Sequence, residues 1–306
     1  MQAVVVRLAG YAGALALAFG AAWAAGSGVR APLVASAAPV APSAPQSAAV
    51  PPAPDPPAPD PIARSGDDTR GLAATAAGYT LLLPNATFTA GRRGELTVTV
   101  AGPDNRPVRA FETGSGGEQL HLLVVRRDTA GFQHLHPQQG ADGSWRTPLT
   151  LPAAGVYRLY AQFAATGGPD LVLGTDLYAS GDFRPVGFAP SRVAQAGDYQ
   201  VRLDGELVPG RPSQVFATVS RDGVPVTDLQ PHLGAFGHLV ALRRSDLAYV
   251  RARPDAAAPS GTDRSGPGIA FTVDVPTAGG YRLHLDFSHD GVVRTTEFTL
   301  DTRNGA

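Results

Sequence analysis

HLLVVRRDTAGFQHLHP, residues 121–137, reads as a β-hairpin and holds three of the seven histidines. The apolar run Leu122 to Val125 leads into turn-forming Asp128 and Gly131, and a second short run, Phe132 to His136, ends at Pro137. A two-residue loop at Thr129 and Ala130 sets Val125 opposite His134 and Leu123 opposite His136. Side chains alternate along a strand, so His134 and His136 share a face. His121 has the parity of Leu123 and Val125 and joins them, diagonal to His136. Three imidazoles on one face of a hairpin suit a transition metal. A one-residue slip would scatter them.

The same stretch returns as HLVALRRSDLAYVRARP, residues 238–254, so that positions 121 and 238 stand 117 residues apart. GRRGELTVTV from Gly91 is echoed by GRPSQVFATV from Gly210, and Ala77-Gly78-Tyr79 by Gly197-Asp198-Tyr199. PAAGVYRLYAQF from Pro152 is echoed by PTAGGYRLHLDF from Pro276, now 124 residues on, so seven residues are inserted in or near DAAAPSGTDRSGPG. Between these landmarks lie short, often alternating apolar runs, punctuated by Gly, Pro, Asp and Asn about every ten residues, a spacing that suits a sandwich. The fold expected is all-β: two tandem immunoglobulin-like β-sandwich domains of roughly 100 residues each, residues 77–183 and 184–302.

Ahead of the repeat the chain changes character twice. Residues 8–25, LAGYAGALALAFGAAWAA, carry no charge and follow Arg7. That length favours an uncleaved membrane helix, while Ala22-Trp23-Ala24 also resembles a cleavage site, so residues 1–28 are a membrane anchor or a signal peptide. Either one exports the rest of the chain. Residues 29–76 read as a Pro/Ala-rich disordered linker, centred on PVAPSAPQSAAVPPAPDPPAPDP, with too few large apolar side chains for a core. A stalk lifting the sandwiches off a membrane explains it.

Composition narrows the chemistry. The formal net charge of −1 gives no argument for nucleic acid. Cysteine is absent and Met1 is the only methionine, so a transition metal must use His nitrogen with carboxylate or backbone oxygen, which suits copper(II) or zinc better than copper(I). There is no Walker loop, no GxGxxG after a strand, no GxSxG and no HExxH, and the expectation is a protein that is not an enzyme.

The two copies differ chemically. His121 keeps its counterpart as His238, but Arg251 and Arg253 stand where the first copy has His134 and His136. The expected site is therefore His121, His134 and His136 of the first copy, with Glu118, or else Glu112, as an oxygen ligand. A site in the second copy would have to join His238 with His232 or His289, with Asp286 and Asp290 as oxygen candidates. His284 alternates with Leu283 and Leu285 and is expected on a solvent face.

The paired signatures resemble a family of exported, membrane-anchored proteins of high-GC Gram-positive bacteria, generically named secreted or heavy-metal-binding proteins. The resemblance covers about residues 79–300 and the hydrophobic N-terminus. It implies handling of copper or another heavy metal. The family's second copy ends in an HVHP-like motif, from which Val250 to Pro254 departs. The expected function is a non-catalytic, membrane-tethered metal scavenger or carrier facing the cell exterior, working with an envelope protein or metal carrier. The rival is an envelope interaction module whose histidines only pack.

Overall fold

The computed structural model describes residues 70–114 and 116–302. The hydrophobic run at 8–25 and the linker up to residue 69 lie outside the described residues. Among the described residues, no helix is long and apolar enough to cross a membrane.

The repeat is realised as two β-sandwiches. In the first, β1 (Thr75–Ala76), β2 (Tyr79–Leu82), β3 (Thr87–Thr89), β4 (Arg93–Ala101), β5 (Leu120–Arg126), β6 (Gln133–Leu135), β7 (Gln138–Gln139), β8 (Ser144–Thr150), β9 (Gly155–Ala164) and β10 (Asp170–Ser180) make two sheets. Their orders are β1-β2-β4-β8-β7 and β3-β10-β9-β5-β6. The second has β11 (Val193–Ala196), β12 (Tyr199–Asp204), β13 (Arg211–Arg221), β14 (Val224–Pro225), β15 (Gly237–Arg243), β16 (Tyr249–Val250), β17 (Ala252–Pro254), β18 (Gly268–Val275), β19 (Gly280–His289) and β20 (Val292–Asp301). Here the orders are β11-β12-β13-β18-β17, with β14 on β13, and β16-β15-β19-β20.

Alternation builds each core. Leu96, Val98 and Val100 of β4 meet Leu122 and Val124 of β5 and Leu159, Ala161 and Phe163 of β9. Val215, Ala217 and Val219 of β13 meet Leu239 and Ala241 of β15 and Leu283, Leu285 and Phe287 of β19. Each copy has a tyrosine corner of the immunoglobulin-like kind. The Tyr157 hydroxyl donates to the Ala153 carbonyl at 2.8 Å, and that of Tyr281 to the Thr277 carbonyl at 2.7 Å.

β5 and β15 are buried along nearly their whole length, on both faces. Their outer faces cover each other. Leu123 and Val125 join Tyr160 and Val172 of the first copy with Val240, Leu242, Leu247 and Tyr249 of the second in a third core, between the sandwiches. Each such side chain gains roughly 1.5–3 kcal/mol by leaving water, and the Tyr160 hydroxyl crosses to the Leu247 carbonyl at 2.5 Å.

Two sequence expectations change. The first sandwich begins before residue 77: the Gly71 N–H donates to the Val172 carbonyl and the Gly174 N–H to the Ala73 carbonyl, both at 2.9 Å. This contact needs Gly174, because a Cβ there would lie 1.9 Å from the Gly71 oxygen. The hairpin turn also differs. The Thr129 N–H donates to the Arg126 carbonyl and the Arg126 N–H to that of Ala130, giving a three-residue loop, Arg127 to Thr129. Thr129 takes φ 71° and Gly131 φ 64°, and an extra residue bulges there. Leu123 consequently faces His134, a register two residues from the expected one. A shift of two preserves the face, so the three histidines stay together, although the strand pairing itself ends at Leu122 and Leu135.

Candidate metal centre

His121 stands on β5 and His134 on β6, one residue past which the chain leaves the sheet at His136. Their face is turned away from the first sandwich's own core and onto the second copy. There it meets His238, the first-copy His121's counterpart on β15, and Asp286, which pairs with His238 across β15 and β19. The His121 and His238 rings stack with centroids 5.9 Å apart and planes 11° from parallel. His134 lies 5.2 Å from His238 and 5.0 Å from His136, centroid to centroid. His232, from the loop before β15, approaches His136 edge-on at 6.3 Å. Five of the seven histidines thus converge where the copies meet.

The polar atoms are arranged around a point more than in pairs. His121 Nδ1 lies 3.4 Å from His134 Nε2 and 2.8 Å from Glu118 Oε2. Glu118 Oε2 is buried, and at that distance it still makes no hydrogen bond. Donors about 2.0–2.1 Å from one ion stand about 2.8 Å apart at right angles and about 3.4 Å apart at tetrahedral angles. The ring nitrogen of His134 that is turned from His121, Nδ1, lies 3.1 Å from Asp286 Oδ2. Asp286 Oδ1 accepts from the Thr295 hydroxyl at 2.5 Å. A carboxylate on the far nitrogen of a histidine fixes the tautomer that presents the other nitrogen's lone pair. Glu118, His121 and His134 form one candidate ligand group, and His134, His238 and Asp286 form an overlapping one.

The electrostatics suit a cation. Burial raises the Glu118 carboxyl, but the close approach of His121, with His136 and His134 nearby, outweighs it and holds the group below the usual carboxylate range. Burial likewise raises Asp286, and the hydrogen bonds from His134 and Thr295 win. His238 is driven well below its ordinary value by burial, then by His134 and His121. It is therefore neutral at pH 7, and its buried Nδ1 has no hydrogen-bond partner among the described residues.

Other expected residues fall elsewhere. His289 points into the second sandwich, hydrogen-bonded through Nδ1 to the Tyr199 hydroxyl at 2.7 Å and through Nε2 to Asp228 at 2.9 Å. It takes no part in the site, because odd positions of β19 face that core. Glu112 is exposed, outside the cluster. His284 is buried, not solvent-facing, since the even face of β19 is covered by the first copy. Its ring stacks on Phe132 at 4.0 Å. His238 and His232 serve the first copy's cluster and form no separate site.

The repeat explains why only one such centre exists among the described residues. The pair Phe132 and His284 has as its counterparts Tyr249 and Tyr160, which also touch across the interface. By the same correspondence His134 and Asp286 map to Arg251 and Gln162. The β15–β16 register, Leu242 opposite Tyr249, is the β5–β6 register moved by 117 residues. After Val250, however, the second copy's chain crosses to the other sheet. Arg251 is exposed, and Arg253 pairs with Asp274 at 3.0 Å. Gln162 accepts from the Tyr249 hydroxyl at 3.3 Å instead. The equivalent half-site is thus closed to metal.

A family described as a domain of unknown function (DUF8832) matches residues 74–173 and 194–304, one stretch in each sandwich. No curated protein matches the chain. Among solved structures it is similar to the Escherichia coli adhesin FdeC at 14% identity and a TM-score of 0.26, over 75% of this chain and 65% of that one. It is also similar to invasin, a bacterial integrin-binding protein, at 11% identity and a TM-score of 0.23, over 75% and 41%. For the D00-D0 domain of intimin the values are 10% and 0.21, over 72% and 98%. The chain spans less than two thirds of the FdeC and invasin chains.

Proposed function

We propose that this chain, which belongs to the DUF8832 family over both of its sandwiches, binds one divalent transition-metal ion between them, copper(II) before zinc, without catalysing a reaction. The ligands are His121, His134 and Glu118 from the first copy and His238 from the second, and Asp286 orients His134. The observation that carries this reading is the convergence of these groups from both copies: His238 offers a ring nitrogen within 4.8 Å of donor atoms of His134 and Asp286, and its buried Nδ1 has no hydrogen-bond partner among the described residues. A buried nitrogen without a partner costs about 1–3 kcal/mol, and a bound cation offsets that cost. Imidazole with carboxylate suits copper(II) and zinc, and the chain has no thiolate and no thioether beyond Met1 for copper(I).

The setting is extracytoplasmic and membrane-tethered, a role as metal scavenger or carrier. The support is the uncharged run at 8–25, the proline-rich stretch after it, and the resemblance to exported heavy-metal-binding proteins of high-GC Gram-positive bacteria. The partner is an envelope protein or another metal carrier. The test is calorimetric titration of the whole chain with copper(II), then zinc, beside the His121→Ala/His134→Ala variant. Saturation at one ion per chain, lost in the variant, is expected. Absence of binding, or binding that the variant keeps, overturns the reading and leaves a tandem module with packing histidines.

A further inference from the structure

The metal site has an inside and an outside. Side-chain exposure falls from 53% at His136, through 18% at Glu118 and 20% at His121, to 6% at His134 and 3% at Asp286. His136 also lines an open groove of about 410 Å³, beside Glu95, Gln138, Gln139 and Arg146. Between outside and inside stands one carboxylate. Glu118 Oε1 is 3.0 Å from His136 Nε2, and its Oε2 is 2.8 Å from His121 Nδ1. Leu123, next but one to His121 on β5, already belongs to the third core, and half-buried His232 meets His136 edge-on from the second copy's side.

We infer that His136 is the exchange ligand of this centre: it takes the ion from the groove and passes it through Glu118 to the inner nitrogens, without belonging to the resting ligand set. This rests on the metal reading above. Loading forms a metal–Nε2 bond at His136 in place of one outer ligand of the incoming ion, and the nitrogen's proton, if carried, goes to solvent. Glu118 then binds the ion, the bond to His136 breaks, and His121 and His134 complete the transfer. The substrate for exchange is a copper(II) ion held by small, weak, water-soluble chelators, because the groove is polar and opens to solvent. Release runs the same path backwards. Removing a group that acts only on the path lowers both rates by one factor and leaves their ratio unchanged.

The experiment is stopped-flow loading of the full chain from the copper(II)–glycine complex, and release into EDTA, for the wild type, His136→Ala and His134→Ala. In His136→Ala, loading and release both slow about tenfold, equivalent to about 1.4 kcal/mol of barrier, with Kd kept within a few-fold. Free imidazole accelerates that variant more than the wild type, which a residue that merely packs would not produce. His134→Ala loses affinity instead. Unchanged rates in His136→Ala overturn the inference, as does a weakened Kd with faster release, which would make His136 an inner ligand. A wild type that binds no copper defeats the metal reading itself, and this inference with it.

Discussion

In the proposed site, Asp286 would prepare a metal ligand without touching the metal. It receives His134 Nδ1 on one oxygen and the Thr295 hydroxyl on the other, so it is held, and it holds the imidazole in turn. Partners of this kind are worth about 10–100-fold in metal affinity. Asp286→Asn should therefore weaken copper(II) binding about tenfold or more while the chain stays folded by circular dichroism. Equal affinities in variant and wild type would remove Asp286 from the site. Buried histidine also sets a pH dependence for the metal-free protein. Burial lowers His284 from 6.5 to about 3, so between those values the unfolded chain takes up a proton that the folded one refuses. Its contribution to stability is complete above pH 6.5 and falls as the pH drops towards 3, by up to about 1.4 kcal/mol per unit. The depressed Glu118 and Asp286 act with the same sign but only at lower pH, where their unfolded forms titrate. Urea unfolding at pH 7 and pH 5 should thus show a loss that His284→Phe reduces by about one proton's worth. A variant with the wild-type slope contradicts this.

At the scale of elements, the sheet edges are fixed by backbone fit as much as by side chains. The segment from Arg70 to Ala76 lies along β10 through the Gly71 and Gly174 hydrogen bonds, and its Arg70 carbonyl accepts the Tyr249 N–H of the second copy at 2.8 Å. Gly174→Ala places a methyl group into the Gly71 carbonyl. A loss of about 1–3 kcal/mol is expected by chemical denaturation, and wild-type stability would show that this segment is not part of the fold. The strands themselves are legible in the sequence, since alternation and turn residues mark β4, β5, β9 and their counterparts. The common face of His121, His134 and His136 is legible too, because parity survives a shift of two. The turn that causes the shift is not, as Thr129 at positive φ and the bulge at Gly131 depend on how the loop closes. The tyrosine corners lie in plain view in PAAGVYRL and PTAGGYRL, but only the fold gives those tyrosines their meaning.

For the whole molecule, the decisive fact is that the two copies use equivalent surfaces against each other. His121 meets His238, and the Phe132–His284 contact is balanced by that of Tyr249 with Tyr160. The sequence holds a sign of this. LLVV at 122–125 and LVAL at 239–242 are apolar at every position, which a sheet with one wet face does not need. Taken one copy at a time, the runs lose that meaning, and His238 and Asp286 look like candidates for a separate site. The metal proposal stands on one ion drawing ligands from both sandwiches. The decisive measurement is electron paramagnetic resonance of the whole chain carrying one equivalent of copper(II), compared with His134→Ala and His238→Ala. One species with imidazole nitrogen couplings is expected, changed by either substitution. A wild-type spectrum retained in His238→Ala would contradict it and confine any metal to the first sandwich.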